Sequence, residues 1–348
     1  MLPMVHSSKQ ISHQIESLLT YLEECQNIDG SYEAQFYFPS QPQKGWIRWG
    51  DTAYDTATIL LAILPVKTEK ATKIIEKGNN FLLKESLHKK LWRFCSGQGY
   101  DPLPYDSDAT AICSFVLNSS GYKLNNKKLL NCFIDNDHNY KTWIIPKFPN
   151  KHLSLNTFIR VSYGNSKALL FNKLNISIDD REFAMNCNIL LYTGKTPKNQ
   201  AVWDKIKNDF KNDKIECRYY NRFYSIYTYA RLFGLGVHQE LFISRSLVLE
   251  RINYLYRQLN PKIFSLNHVF LTNTILFFKI NLYKDLAETC FSHIATGNYK
   301  NPAPYYSSNL IFDKHPDTAE PVNVFGSASL NTSLYIEFLH LYLQRLKT

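Results

Sequence analysis

The stretch Asp51–Leu64, DTAYDTATILLAIL, and its counterpart Asp106–Leu117, DSDATAICSFVL, decide the fold. Each opens on residues that cap helices and then turns apolar nearly all round. Asp, Ser and Thr at a helix start accept hydrogen bonds from the first unpaired backbone N–H groups. A helix apolar on every side offers no face to water and is an inner helix. Each is preceded by a segment of the opposite design. Ser12–Gln26 carries Ile15, Leu18, Leu19 and Leu22 at helical spacing and stops at Asp29-Gly30, and Thr72–Lys84 is amphipathic in the same way.

The alternation of amphipathic outer and apolar inner segments runs on, at intervals of about 40–60 residues, the range of helical-repeat architectures. Lys127–Ile134 begins a third outer helix, and Arg181–Tyr192, REFAMNCNILLY, is its inner partner, stopped by Gly194. A short helix around Leu153–Val161 reads as an insertion. Three further pairs follow: Gln200–Phe210 with Arg222–Phe233, Ile243–Leu259 with Asn267–Ile280, and Leu282–Ala295 with Ser327–Leu346. The expectation is an all-α chain, one α6/α6 barrel (an α/α toroid) of about six helical hairpins spanning residues 1–348. Parallel inner helices would bring their N-termini to one rim. That rim gathers Asp51 and Asp55, Asp106 and Asp108, Asn186 and Asn188, Tyr224, His268 and Asn273, and Ser327 with Asn331. Capping alone accounts for any single one of these residues.

Composition narrows the function classes. Hydrophobic residues make up 45% and charged residues 20%, which marks a folded chain rather than a disordered one. Tyr (23) and Phe (22) are abundant, and an amphipathic ring suits the wall of a half-wet cavity. An AT-rich coding sequence would raise the same residues. The net charge of +10 is spread thinly, with no basic tract and no zinc-finger, homeodomain or RNA-binding signature, so nucleic acid is not the expected partner. Seven scattered cysteines without a C-x-x-C read as reduced thiols of a cytoplasmic protein. No signal-peptide apolar region stands at the N-terminus, and no apolar run approaches a membrane span. Glycine-rich phosphate loops are absent, so a diphosphate group would need scattered cations, with Arg48, Arg93, Lys141, Arg218, Arg222 and Arg231 as candidates. Solvated surface positions are the expected place for most of them.

Three stretches carry a resemblance to a known superfamily. Tyr21–Glu33, YLEECQNIDGSYE, resembles the Gln-Trp repeat of triterpene cyclases, with Tyr32 where Trp usually stands; Gln26, Gly30 and Tyr32 match its positions. Phe81–Phe94, FLLKESLHKKLWRF, resembles a weaker copy without the Gln or Gly, and Phe325–Leu339, FGSASLNTSLYIEFL, resembles the closing inner helix of such proteins. The chain is thus similar to the terpenoid-cyclase and protein-prenyltransferase superfamily, whose fold is the α/α toroid. The resemblance implies that Gln26 bridges backbone groups while the ring at Tyr32 packs between repeats.

Within that resemblance, Tyr105–Ala111, YDSDATA, is similar to the Asp-x-Asp-Asp-Thr-Ala motif of class II terpene cyclases. Asp108 matches the Asp that protonates an alkene or epoxide, and Asp106 matches the first Asp. The final Asp is replaced by Ala109, which leaves the acid with one supporting carboxylate fewer. Alkene protonation needs an undissociated, poorly solvated acid, and two neighbouring carboxyls that cannot both ionise provide one. Aromatic rings stabilise the resulting cations, and water must be kept out. The expected substrate-facing residues are Asp51, Asp55, Trp49, Trp92, Tyr105, Tyr219, Tyr220, Tyr224 and Asn186. The resemblance implies protonation-initiated cyclisation of a linear prenyl chain or prenylated small molecule, with no cofactor required; a diphosphate substrate would bring Mg²⁺ to an Asp pair. The zinc set of the prenyltransferases and the Cys-His pair of lanthionine cyclases are missing. Two other readings stay open: a non-catalytic toroid that holds a lipid, prenyl or peptide ligand, and a carbohydrate-active (α/α)6 enzyme with paired carboxylates.

Overall fold

The computed structural model describes residues 7–37, 42–94, 104–146, 152–170, 181–215, 220–235, 244–260, 264–281, 283–302, 304–308 and 323–347. Six of its α-helices form an inner ring: α2 (Ala53–Ile63), α4 (Ser107–Ser119), α7 (Phe183–Thr193), α9 (Arg222–Gly234), α11 (Leu266–Phe277) and α13 (Ala328–Leu346). They pack in chain order, and α13 returns against α2 to close the ring. Outside lie α1 (Ser8–Cys25), α3 (Glu69–Glu85), α5 (Lys127–Leu130), α6 (Leu155–Leu170), α8 (Gln200–Lys211), α10 (Arg245–Gln258) and α12 (Lys284–Ala295). This is the expected all-α toroid. Its two layers differ as the sequence requires: every residue of α2, α7 and α11 is buried except Asn267, whereas α3 buries only Ala71, Ile74, Gly78, Asn79, Phe81 and Leu82.

Caps set where the inner helices begin. Thr52 accepts from Asp55 N (2.9 Å), Asp106 from Ala109 N (2.6 Å), Asn221 from Tyr224 N (3.0 Å) and Ser327 from Leu330 N (3.3 Å). Each satisfies a backbone donor that the helix itself cannot, typically worth about 1 kcal/mol.

The Gln-Trp-like resemblance becomes physical in the packing. Gln26 Nε2 donates to the carbonyls of Gly30 (3.0 Å) and Ile74 (3.1 Å), tying α1 to α3. Gly30 has φ +97°, and a Cβ there would stand 2.1 Å from the Lys77 carbonyl oxygen. Gly30→Ala is therefore expected to destabilise the fold by at least about 1–3 kcal/mol, read as a lower urea midpoint. Behind that turn, an interaction repeats three times. The backbone N–H of Tyr32, Trp92 and Tyr140 donates to the side chain at the fourth position of the next inner helix: Thr56 (3.0 Å), Thr110 (3.1 Å) and Asn186 (2.9 Å). The polar atom of each ring reaches back to the preceding outer segment: Tyr32 OH to Leu22 O (3.1 Å), Trp92 Nε1 to Leu82 O (2.7 Å) and Tyr140 OH to Asn131 Oδ1 (2.6 Å). Each aromatic residue thus rivets one outer segment to one inner helix. Trp92→Ala removes the largest fully buried side chain together with this bond, and should cost about 3–5 kcal/mol in chemical denaturation.

One feature is absent from the helical pattern. A four-stranded sheet in the order β2-β1-β4-β3 joins the two ends of the chain: β1 (Glu33–Tyr37), β2 (Trp46–Asp51), β3 (Pro304–Ser308) and β4 (Asn323–Gly326), all neighbours antiparallel. Pairing of β1 with β4 fastens the first repeat to the last, beside the contact of α2 with α13. No helix among the described residues is long and apolar enough to cross a membrane.

Candidate active site

Asp108 is the second residue of α4 and is buried, 6% exposed. Its two oxygens have separate donors. Asn188 Nδ2, from α7, donates to Oδ1 (2.9 Å), and the Tyr220 hydroxyl, just ahead of α9, donates to Oδ2 (3.2 Å). Burial pushes the Asp108 carboxyl up to about 6, against the opposing pull of Asn188, Tyr220 and the Arg231 charge. Asp106, the N-cap of α4, is pushed well above the ordinary carboxylate range, first by burial and then by the charge of Asp108. Its main chain is held by the Trp92 carbonyl, which accepts from Asp106 N (3.3 Å). Both carboxyls therefore hold their protons to higher pH than ordinary carboxylates do.

Around Asp108 the tyrosines meet. With its one proton given to Asp108, Tyr220 OH lies 3.0 Å from Tyr54 OH, which in turn lies 2.8 Å from Tyr224 OH. Tyr54 belongs to α2 and Tyr224 to α9, which stand opposite one another in the ring, so this bond crosses the barrel. Burial raises the pKa of Tyr54 and of Tyr224, which keeps these phenols protonated. Their rings make an aromatic wall: Tyr220 stacks on Tyr224 at 4.5 Å, Tyr224 meets Phe270 edge-on at 5.3 Å, and Tyr54 stacks on Phe94 at 5.1 Å. Faces of such rings attract positive charge.

Deeper in the barrel lies a buried cation. Arg231 of α9 is 1% exposed; its Nη2 donates to Asn188 Oδ1 (2.8 Å) and its Nη1 to Tyr227 OH (3.3 Å). Tyr227 OH in turn donates to Glu337 Oε2 (2.7 Å), which also accepts from Asn273 Nδ2 (2.9 Å). Glu337 is 5% exposed, and burial pushes it up to about 7 in spite of Arg231, Tyr227 and Asn273. A continuous chain thus runs Asp108–Asn188–Arg231–Tyr227–Glu337–Asn273 through α4, α7, α9, α13 and α11.

Of the residues expected at the site, the structure brings Asp106, Asp108, Tyr220 and Tyr224 together. Trp92 and Asn186 are instead committed to the rivets between layers, with Asn186 Nδ2 bonded to the Glu182 carbonyl (2.8 Å). Asp51, at the end of β2, accepts from Asn27 Nδ2 (3.0 Å) and Arg48 Nη2 (3.3 Å), and is a turn-fastening residue at the sheet. Asp55 is fully buried in the first turn of α2, under the Thr52 cap. Tyr105 lies beneath the Arg93 guanidinium, 4.6 Å from ring centre to charge. The Trp49 side chain, Arg218 and Tyr219 lie outside the described residues. Among the candidate cations, Arg48 is exposed and pairs with Glu33 (3.0 Å), and Arg222 pairs with Asp213, whereas Arg231 is not at the surface at all. Tyr54, Tyr227 and Glu337 were missed as site residues. The signal for them was weak: polar side chains embedded in the apolar runs of inner helices.

No protein-family model and no curated protein matches the chain. Solved structures do. A variant of type II terpene cyclase MstE from Scytonema, in complex with geranylgeranyl dihydroxybenzoate, matches at TM-score 0.64 and 11% identity, over 97% of this chain and 99% of that one. The fold is that of the type II terpene cyclases. A second variant of MstE, in complex with merosterolic acid A, matches at TM-score 0.63 and 12% identity, over 97% and 98%. A protein from Actinoplanes matches at TM-score 0.68 and 9% identity, over 97% and 100%. In this fold Tyr54, Asp108, Asn188, Tyr224, Tyr227, Arg231, Asn273 and Glu337 all stand on inner helices, while Asp106 and Tyr220 lie just ahead of theirs.

The buried carboxyls set a pH dependence of stability. Asp108 moves from 3.8 to about 6 and Glu337 from 4.5 to about 7 on folding. Between those limits the folded chain holds protons that the unfolded chain has released, so stability falls as pH rises. Each carboxyl accounts for roughly 3 kcal/mol of stability that is present near pH 4 and lost by about pH 7 to 8. Thermal unfolding followed by circular dichroism is expected to show this decline, and Asp108→Asn is expected to remove its lower part, between pH 4 and 6.

Proposed function

We propose that this chain is a terpene cyclase of the type II kind, in which Asp108 protonates the terminal double bond of a prenyl chain, or of a prenylated small molecule, and so starts cyclisation. The observation that carries this reading is the environment of Asp108. Burial raises the carboxyl to about 6, so it holds its proton to far higher pH than an ordinary carboxylate, while Asn188, Tyr220 and the nearby Arg231 stabilise the carboxylate that remains after the proton has left. The first property makes the acid available and the second makes it strong. Asp106, which keeps its proton more tightly, prevents a second negative charge from forming alongside. The Tyr220, Tyr224, Tyr54 and Phe270 rings then face developing positive charge, and protonated phenols do not capture it as hydroxide would. Substrate entry at the rim parts the Tyr54–Tyr224 hydrogen bond, since that bond crosses the barrel at the level of the acid. The binding of geranylgeranyl dihydroxybenzoate by MstE supports a prenylated aromatic as one substrate class to try.

The test is incubation of the purified protein in D₂O with geranylgeranyl dihydroxybenzoate and with farnesyl and geranylgeranyl diphosphates. The expected product is a cyclic isomer that carries one non-exchangeable deuterium at the carbon protonated first. Absence of any cyclised product from folded protein overturns the reading.

A further inference from the structure

Glu337 is a buried carboxyl that the protonation step does not use. It sits on α13 and meets two other inner helices, through Tyr227 of α9 and Asn273 of α11. Both donors converge on Oε2, which leaves Oε1 without a hydrogen bond among the described residues. Its position in the barrel is set by α9. Asp108 is level with Tyr224, through Tyr220 and Tyr54, whereas Glu337 is level with Tyr227 and Arg231. Those two residues follow Tyr224 by three and seven positions, or about 5 and 10 Å along the axis, roughly the length of one or two isoprene units. Glu337 thus lies farther from the rim than the acid, on the same ring of helices.

A cation cascade that begins with a proton gained must end with a proton lost or a nucleophile gained. We propose that Glu337 is the base that ends it, taking the proton on Oε1 from a carbon next to the final cationic centre; this rests on the cyclase reading above. In that step the C–H bond breaks, its electron pair becomes the new C=C bond, and the proton joins the Glu337 carboxylate. Asp108 has lost one proton and Glu337 has gained one, the product is an isomer of the substrate, and exchange with solvent resets both carboxyls. The working form has Asp108 protonated and Glu337 ionised; with values of about 6 and about 7 it is a minority of molecules, most abundant between those two pH values. Tyr227 and Asn273 hold the carboxylate in place by the oxygen that does not react. Arg231, held off Glu337 by the Tyr227 phenol, balances its charge before the cation arrives.

The experiment compares wild type with Glu337→Gln, which preserves shape and removes the base. Product distribution is read by mass spectrometry, and binding is measured for N,N-dimethylfarnesylamine, a cationic probe, against farnesyl methyl ether, a neutral one. In Glu337→Gln the wild-type alkene should fall at least about tenfold as a share of product, replaced by a water-captured alcohol or another alkene isomer. The ammonium probe should bind at least about tenfold more weakly, with the ether unchanged. A wild-type cyclic product that persists unaltered in Glu337→Gln, with ammonium affinity intact, overturns the assignment of Glu337 and leaves the acid in place. No cyclic product from wild type overturns the cyclase reading itself, and the base with it. Should Glu337→Gln fail to fold, Glu337→Asp withdraws the same charge by one methylene, and an unchanged isomer ratio there also overturns the assignment.

Discussion

Asp108→Asn is expected to lower the cyclisation rate by at least about 10³-fold while substrate affinity changes little. The amide is the same shape as the acid and can keep its bond with Tyr220, but it has no proton to give to an alkene. Nothing else described beside Asp108 can take over. Asp106 is bound to the start of α4 through the Ala109 N–H, and the phenols of Tyr54, Tyr220 and Tyr224 are far weaker acids. The loss therefore falls on the rate of the chemical step, read as kcat by product formation under saturating substrate. The same variant should be at least as stable as wild type at pH 8, because the buried group that must ionise there is gone. Activity lost together with stability would point to misfolding. Activity lost with stability kept identifies the acid. A rate within about tenfold of wild type would remove Asp108 from the mechanism.

The second large effect is on stability. Arg231→Met is expected to cost about 3–5 kcal/mol at pH 8, measured by urea denaturation. The guanidinium is fully buried and forks to Asn188 and Tyr227, so its loss strands two polar partners and leaves the carboxyls of Asp108 and Glu337 without the cation between them. Burial opposes the Arg231 charge, but the surrounding Tyr227, Tyr224 and Glu337 outweigh it and raise its pKa. The sign of the pH effect follows. Without Arg231 both carboxyls lose a neighbour that lowers their pKa. They then hold their protons to higher pH, and the deficit should shrink at pH 5, where both are neutral in wild type as well. Arg231→Lys is not expected to restore the loss, because a single ammonium cannot span the Asn188 oxygen and the Tyr227 hydroxyl as the planar fork does. A deficit that is equal at pH 5 and pH 8 would show that Arg231 contributes packing alone.

The helical repeat was legible because burial leaves a trace in one dimension. An inner helix of a toroid is dry on all sides, so DTAYDTATILLAIL and REFAMNCNILLY could be told from their amphipathic neighbours without any partner in view. Asp106 and Asp108 were singled out by the resemblance of YDSDATA to the class II cyclase motif, because two carboxyls, Asp51 and Asp55, also stand at the start of the preceding inner segment. Periodicity assigns a residue to a face, however, and not to a partner. Trp92 and Asn186 were expected at the cavity wall and were found riveting layers together. Nothing in the order of residues distinguishes a ring that turns toward the barrel axis from one that turns toward the next outer helix.

The sheet was missed because β1 and β4 lie almost 300 residues apart, and strands this short are stabilised by pairing rather than by pattern. The sequence alone determined an α/α toroid and the capped starts of its inner helices, since both rest on local hydrophobicity and local capping. Only the tertiary structure decided that Arg231, a residue whose type belongs to the surface, is buried at the centre, that Asn188 and Tyr227 accept from its guanidinium, and that Glu337 is linked to it through Tyr227. The physical reason is the cost of burying charge, which is offset only by partners that ring closure brings together.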